Sequence, residues 1–194
     1  SVDDFAAAAA LVAEAPDAVV AVEVNLSCPN LEGRGSIFAH DAGLSAEVVA
    51  ATAACGRPRW AKLSANTDRI VEVAEAVVGA GADALTCINT LLGLAYDPDT
   101  MAPTLGAGGG GRSGRAIHPV AVRAVHDVHR ALPEVPIVGV GGVASGWDAV
   151  VFLLAGASAV QGGTASVAEP GAAQRGQAEL LAGAARRGVS RLAE

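Results

Sequence analysis

Short apolar, β-branched runs alternate along the chain with longer segments in which apolar residues return every three or four positions. The runs cover residues 19–26 (VVAVEVNL), 60–64 (WAKLS), 84–89 (ALTCIN), 136–140 (PIVGV) and 157–162 (ASAVQG). Their near-continuous apolarity predicts strands covered on both faces. The periodic segments predict helices over 44–55, 66–79, 119–132, 146–154 and 174–187. Ser45 and Ser145 stand where an N-cap belongs, Gly56 follows a helix end, and Pro119 opens the third helix, where its missing N–H costs nothing. In the second helix Ile70, Val73, Ala74 and Val77 share one face. The chain also opens in what reads as a helix, SVDDFAAAAALVAEA.

Strand–helix alternation means βαβ units and a parallel sheet, an α/β protein. Two architectures compete, a doubly wound open sheet and a (β/α)8 TIM barrel. Polar and glycine residues gather just past the carboxyl ends of all five runs: Asn25, Ser27 and Cys28; Lys62 and Ser64; Asn89 and Thr90; Gly141 and Gly142; Gly163 and Thr164. An open sheet concentrates its site at one switch point, whereas a barrel uses the ends of many strands. The expectation is therefore an incomplete barrel of about five βα units forming one domain over residues 1–194. The missing first strands are expected before Ser1, in a longer polypeptide.

Composition narrows the function classes. Of 194 residues 52% are apolar and 17% charged, which excludes intrinsic disorder. A formal net charge of −7 argues against a nucleic-acid partner. No run approaches the roughly 20 apolar residues of a membrane span, and the start lacks the basic region of a signal peptide. Three cysteines at irregular spacing form neither a disulfide framework nor a zinc motif, so a reducing cytoplasm is expected.

The candidate chemistry lies in the strand ends. IVGVGGV and VQGGTA place paired glycines before helices expected near Ser145 and Gly171, where backbone N–H groups can approach an anion closely. The bland alternative is that these glycines only permit tight turns; two pairs in consecutive units favour phosphate. Lys62, inside an apolar strand, either pairs with Glu23 on the neighbouring strand or faces an anionic, electron-rich cofactor. Cys55 and Cys87 read as small buried hydrophobes. Cys28, flanked by Asn25, Ser27, Pro29 and Asn30, is either another of these or a base or nucleophile. His126 and His129 share a helix face, which fits a solvated surface better than a metal site; no metal is expected. The long connection over 91–117 reads as a functional loop, with Gly108–Gly111 a linker or a cofactor approach.

These residues, in this order, resemble the class 1 dihydroorotate dehydrogenases, most closely the flavin subunit of the class 1B form. The matching stretches are VEVNLSCPN, WAKLSANTDRIVEVAEAVVGAGADALTCINTLLG, GGRSGRAIHPVAVRAVHDV, PIVGVGGV and GASAVQGGTA. INTLLG points to 1B rather than 1A. The resemblance implies a (β/α)8 barrel that binds FMN at its carboxyl face and oxidises dihydroorotate to orotate in de novo pyrimidine biosynthesis, the route to UMP. It makes Cys28 the base that takes the C5 proton; class 2 members carry Ser there. It assigns Asn25, Asn30, Asn89 and Thr90 to the substrate, and Asn25, Lys62, Ile88, Gly114, Gly141, Gly142, Gly163 and Thr164 to FMN. It further implies a partner subunit holding FAD and an iron–sulfur cluster that passes electrons to NAD, and an oligomeric assembly.

There are departures. GGRSGRA stands for the more usual GGLSGPA, putting Arg112 and Arg115 beside the FMN loop, and Gly162 replaces a common Val. The family's other active-site lysine and its Asn-Ala-Ile-Gly-Leu substrate loop are absent from these residues. The isolated chain is therefore expected to be inactive and aggregation-prone through its unpaired strand edges; a soluble monomer turning over dihydroorotate would refute that. The competing readings are a dihydropyrimidine dehydrogenase-like flavin domain, which shares the SCP turn, and a non-catalytic barrel fragment that binds flavin or phosphate.

Overall fold

The structure, a computed structural model, describes residues 1–27 and 38–190. In chain order the elements are α1 (Val2–Ala13), β1 (Val22–Asn25), α2 (Ala42–Ala51), β2 (Arg59–Leu63), α3 (Ile70–Gly79), β3 (Ala84–Cys87), β4 (Leu91–Gly93), β5 (Gly110–Arg112), α4 (His118–Ala131), β6 (Ile137–Val140), α5 (Gly146–Leu154), β7 (Ala159–Gln161), α6 (Thr164–Ala168) and α7 (Ala172–Arg186). All five expected strands form; four are shorter than their apolar runs, and β2 keeps the length of its run but starts one residue earlier.

The five pair in parallel in the order β1-β2-β3-β6-β7. The order follows the chain without the reversal that creates a switch point in a doubly wound sheet. This is the wall of a (β/α)8 barrel, unclosed among the described residues. The sheet curls so far that a side chain on one edge strand reaches the other: Gln161 Nε2 on β7 donates to Glu23 Oε2 on β1 at 3.1 Å.

Alternation along the strands separates two layers. Val24, Ala61, Leu63, Leu85, Cys87 and Ile137 are buried against Val48, Val49, Val73, Val77, Val125, Val128 and Phe152 of the helices. The opposite face carries the polar set Glu23, Lys62, Thr86 and Gln161, in which the last three each donate a hydrogen bond to the Glu23 carboxylate. Gly139 is small for a packing reason: a Cβ there would lie 2.5 Å from the Phe152 ring.

Helix boundaries shift where side chains compete for the backbone. Ser145 caps α5 as expected, accepting from the Asp148 N–H at 3.3 Å. α2 starts earlier than its apolar period suggests because Asp41 supplies the cap, accepting from the Leu44 N–H at 2.9 Å. Ser45 is buried and donates to the Phe38 carbonyl at 2.8 Å instead. Gly56 ends this segment in the left-handed region at φ 62°. α3 begins at Ile70 rather than at residue 66, because the Asn66 side chain is engaged at the strand ends. The connection over 91–117 is partly ordered as the antiparallel pair β4–β5, with Gly110 and Gly111 inside β5. Neither Gly-rich strand carries the β-branched signal that sequence reading relies on.

Candidate functional site

Two adjoining cavities open at the carboxyl ends of the parallel strands. The first, of about 490 Å³, brings together Lys62 from β2, Ile88, Asn89 and Thr90 after β3, Gly114 and Arg115 before α4, Gly141 and Gly142 after β6, and Gly163 and Thr164 after β7. The second, of about 820 Å³, is lined by Asn25 and Ser27 after β1, Ser64 and Asn66 after β2, Asn89 and Thr90, and the β4–β5 hairpin. Asn89 and Thr90 belong to both.

Glycine turns form part of the wall of the first cavity. Gly114, Gly141 and Gly142 have φ of 81°, 139° and 71°, where an L side chain is strained. A Cβ on Gly142 would lie 2.8 Å from the Gly114 carbonyl oxygen and 2.9 Å from His118 Cβ. A Cβ on Gly163 would meet nothing within 4 Å. His118, isolated in the sequence, places its Nδ1 2.9 Å from the Gly141 carbonyl oxygen and its ring edge-on to Phe152. Thr164 Oγ1 donates to Ser113 Oγ at 2.9 Å, tying the β7 turn to the segment before α4.

The α5 N-terminus is already occupied. The Gly146 N–H donates to Glu179 at 2.7 Å and the Ala144 N–H to Asp148 at 3.0 Å. Burial pushes the Asp148 carboxyl up, but hydrogen bonds from Ser145 and Ala144 and the nearby His118 and Arg115 charges bring it below its usual range. The N–H groups of Ala144, Gly146 and Asp148, at the helix start where an anion was expected, are thus engaged within the protein. Arg175 closes the rim, paired with Glu169 at 2.7 Å and Glu179 at 2.8 Å.

Lys62 forms the ion pair with Glu23 that the sequence suggested, its Nζ donating to Glu23 Oε1 at 2.9 Å, and it also lines the first cavity. Burial raises the Glu23 carboxyl, yet hydrogen bonds from Lys62, Gln161 and Thr86, with the Lys62 charge, together lower it below the usual carboxylate range.

The second cavity carries three side-chain amides in its wall. Asn89 Nδ2 donates to Asn25 Oδ1 at 2.9 Å, Asn25 Oδ1 also accepts from the Ser27 N–H at 3.1 Å, and Asn89 Oδ1 accepts from the Thr90 N–H at 2.7 Å. Asn66, which sequence reading placed in a helix, donates to Ser64 Oγ at 2.9 Å and the Thr90 carbonyl at 3.0 Å and accepts from the Leu92 N–H at 2.8 Å. It pins the hairpin over the cavity. The available signal was that residues 66–69 carry no apolar period.

Cys28 and Asn30 lie outside the described residues. Cys55 and Cys87 are both free and buried, and burial pushes the Cys87 thiol up to about 12, which leaves it inert at neutral pH. His126 is exposed on α4, but His129 is partly buried, its ring lying where a Cβ on Gly156 would sit. The two histidines do not form a common solvated face. Among the described residues no group of three His, Cys, Asp or Glu side chains is placed to hold a metal ion, and no helix is long and apolar enough to cross a membrane.

A curled parallel sheet with cavities at its carboxyl edge defines an α/β barrel of the enzyme-bearing type. A solved structure of DHODH from Eimeria tenella in complex with ferulenol superposes on it with a TM-score of 0.78 at 22% identity, covering 98% of this chain and 56% of that one. The family model for dihydroorotate dehydrogenase matches residues 1–182. The chain belongs to the dihydroorotate dehydrogenase family. It is 49% identical over 173 residues to the dihydroorotate dehydrogenase B (NAD(+)) catalytic subunit of Trichlorobacter lovleyi, and 45% identical over 173 residues to that of Pelobacter propionicus, covering 89% of this chain and 56% of each relative. The chain thus spans about half the length of the curated relatives it matches.

Proposed function

We propose that the whole protein is an FMN-dependent dihydroorotate dehydrogenase of the B type, oxidising dihydroorotate to orotate in pyrimidine biosynthesis. The observation that carries this reading is that the two cavities share Asn89 and Thr90. A cofactor in the first then lies against a small polar substrate in the second.

The residues fit FMN. Gly114, Gly141 and Gly142 hold positive-φ turns packed against the protein behind them, and Gly163 leaves open space where a Cβ would stand, an arrangement that suits a phosphate approaching backbone N–H groups at close range. Lys62 brings the cation that suits negative charge developing on a ring system. Bound FMN supplies the hydride acceptor for the hydrogen at C6 of dihydroorotate.

The protein's own groups do the rest. Cys28, as thiolate, takes the C5 proton, the C5–C6 bond becomes double, and the thiol later returns that proton to solvent. Asn25 and Asn89, held by their mutual hydrogen bond, present amide donors and acceptors to the substrate's ring amides, with Thr90 and Asn30 completing the set. Asn25 also serves the FMN side, while Ile88 gives the first cavity an apolar surface. The B-type relationship supports a partner subunit with FAD and an iron–sulfur cluster delivering electrons to NAD, an oligomeric assembly and a cytoplasmic location. Cys28→Ser in the whole protein tests the chemistry: dihydroorotate-driven flavin reduction slows by about 100-fold or more at neutral pH and its profile moves to higher pH. Reduction at the original rate and profile would remove Cys28 as the base.

A further inference from the structure

We infer that Glu23 is a positioning residue for Lys62: it fixes the ammonium beneath the first cavity and offsets its charge, thereby setting the reduction potential of the bound flavin. The inference rests on the flavin reading above.

The chain contains twelve arginines and a single lysine, Lys62. In a sequence that otherwise uses Arg for every permanent cation, the one interior strand position at the cavity keeps the compact ammonium. A guanidinium is planar and longer, and it presents its charge over a wider area. A partly buried ammonium costs much to desolvate unless a partner compensates it.

Glu23 is that partner, and its carboxylate does more than one ion pair requires. Oε1 accepts from Lys62 Nζ at 2.9 Å, while Oε2 accepts from Thr86 Oγ1 at 2.9 Å and Gln161 Nε2 at 3.1 Å. The donors come from β2, β3 and β7, and Glu23 stands on β1. Four strands thus converge on one carboxylate, which stays ionised and cannot swing away. Lys62 is held at one height in the barrel, and the pair presents a dipole to the cavity in place of a bare positive charge.

A purely structural role, stitching β1 to β7, would affect stability and nothing else. A charge-setting role moves the flavin potential, and the two are separated by potentiometry on the flavin-loaded whole protein. Glu23→Gln keeps the shape and removes the charge. The equilibrium constant for flavin reduction then rises about tenfold, which for a two-electron couple is a positive shift of about 30 mV. Lys62→Gln shifts it the opposite way, and the double variant returns near the starting value. Gln161→Met cuts the β1–β7 link without changing charge and leaves the potential in place. If Glu23→Gln fails to fold, Glu23→Asp draws the carboxylate back from the ammonium and gives a smaller positive shift. A Glu23→Gln protein that melts earlier but keeps the original potential overturns the inference alone, as does a Gln161→Met shift equal to that of Glu23→Gln. A starting protein whose flavin is not reduced by dihydroorotate overturns the functional reading and this inference with it.

Discussion

At the β6 and β7 end of the site the wall includes turns built on glycines with positive φ, braced from behind by His118 on the Gly141 carbonyl. At the β1 and β3 end it is side chain, a set of amides from Asn25, Asn66 and Asn89 bonded to one another and to the main chain. The first design relies on turns that take no added atom at Gly141 and Gly142. The second offers oriented donors and acceptors and tolerates the loss of one at moderate cost. A phosphate-bearing cofactor suits the former; a small ring with amide edges suits the latter.

The sharpest way to break this contrast is at Gly142. Gly142→Ala forces a side chain into the left-handed region against the Gly114 carbonyl and His118, and is expected to cost about 2–4 kcal/mol of stability. FMN affinity falls with it by about tenfold or more, measured by flavin fluorescence on titration. If flavin binds as before, the glycine turns are not its cradle.

Asn89→Ala probes the other material. It removes the bond to Asn25 and the acceptor for the Thr90 N–H, a loss of about 1–2 kcal/mol. Dihydroorotate affinity is expected to fall about ten- to thirty-fold while FMN content stays near normal. Equal losses of both ligands would mean that the two cavities are not functionally distinct.

Beneath both ends, Glu23 carries a pH signature. Its carboxyl lies lower in the folded chain than the ordinary Glu value of about 4.3. Its stabilisation is therefore complete above that ordinary value and is lost as pH falls through the lower folded one. Melting temperature should drop on acidification, and Glu23→Gln should flatten that limb. An identical acid limb in the variant would place the titration elsewhere.

The smallest expected effect is at Gly162, which lines a third cavity of about 230 Å³. A Cβ there meets only the Val143 carbonyl oxygen, at 3.8 Å. Gly162→Ala should stabilise by about 0.4–1 kcal/mol through the unfolded chain, read from the denaturation midpoint, with flavin affinity unchanged.

What was legible in the sequence follows the same division. The parallel strands could be read because burial on both faces demands continuous apolar runs, and the barrel because all five strand ends carried polar or glycine residues. The glycine pairs were legible as turns with close backbone approach. Asn66 was not, because the polar run over residues 66–69 ahead of the apolar period of α3 reads as a solvated first helical turn, and only three-dimensional structure shows its side chain spent on Ser64, Thr90 and Leu92. His118 was missed since one histidine at a helix start gives no sign of the carbonyl it meets 23 residues later. The β4–β5 pair was hidden by glycines that carry no strand signal. The pairing of Lys62 with Glu23 was legible because an interior strand lysine needs a carboxylate on a neighbouring strand, and the ion pair forms.

The most direct test of adjoining cofactor and substrate cavities is an anaerobic titration of the flavin-loaded whole protein with dihydroorotate, followed by flavin absorbance. The flavin is expected to bleach stoichiometrically with dihydroorotate alone, and orotate to appear in equal amount. Flavin that stays oxidised with dihydroorotate, yet is reoxidised by uracil or thymine after reduction with NADPH, would contradict the account.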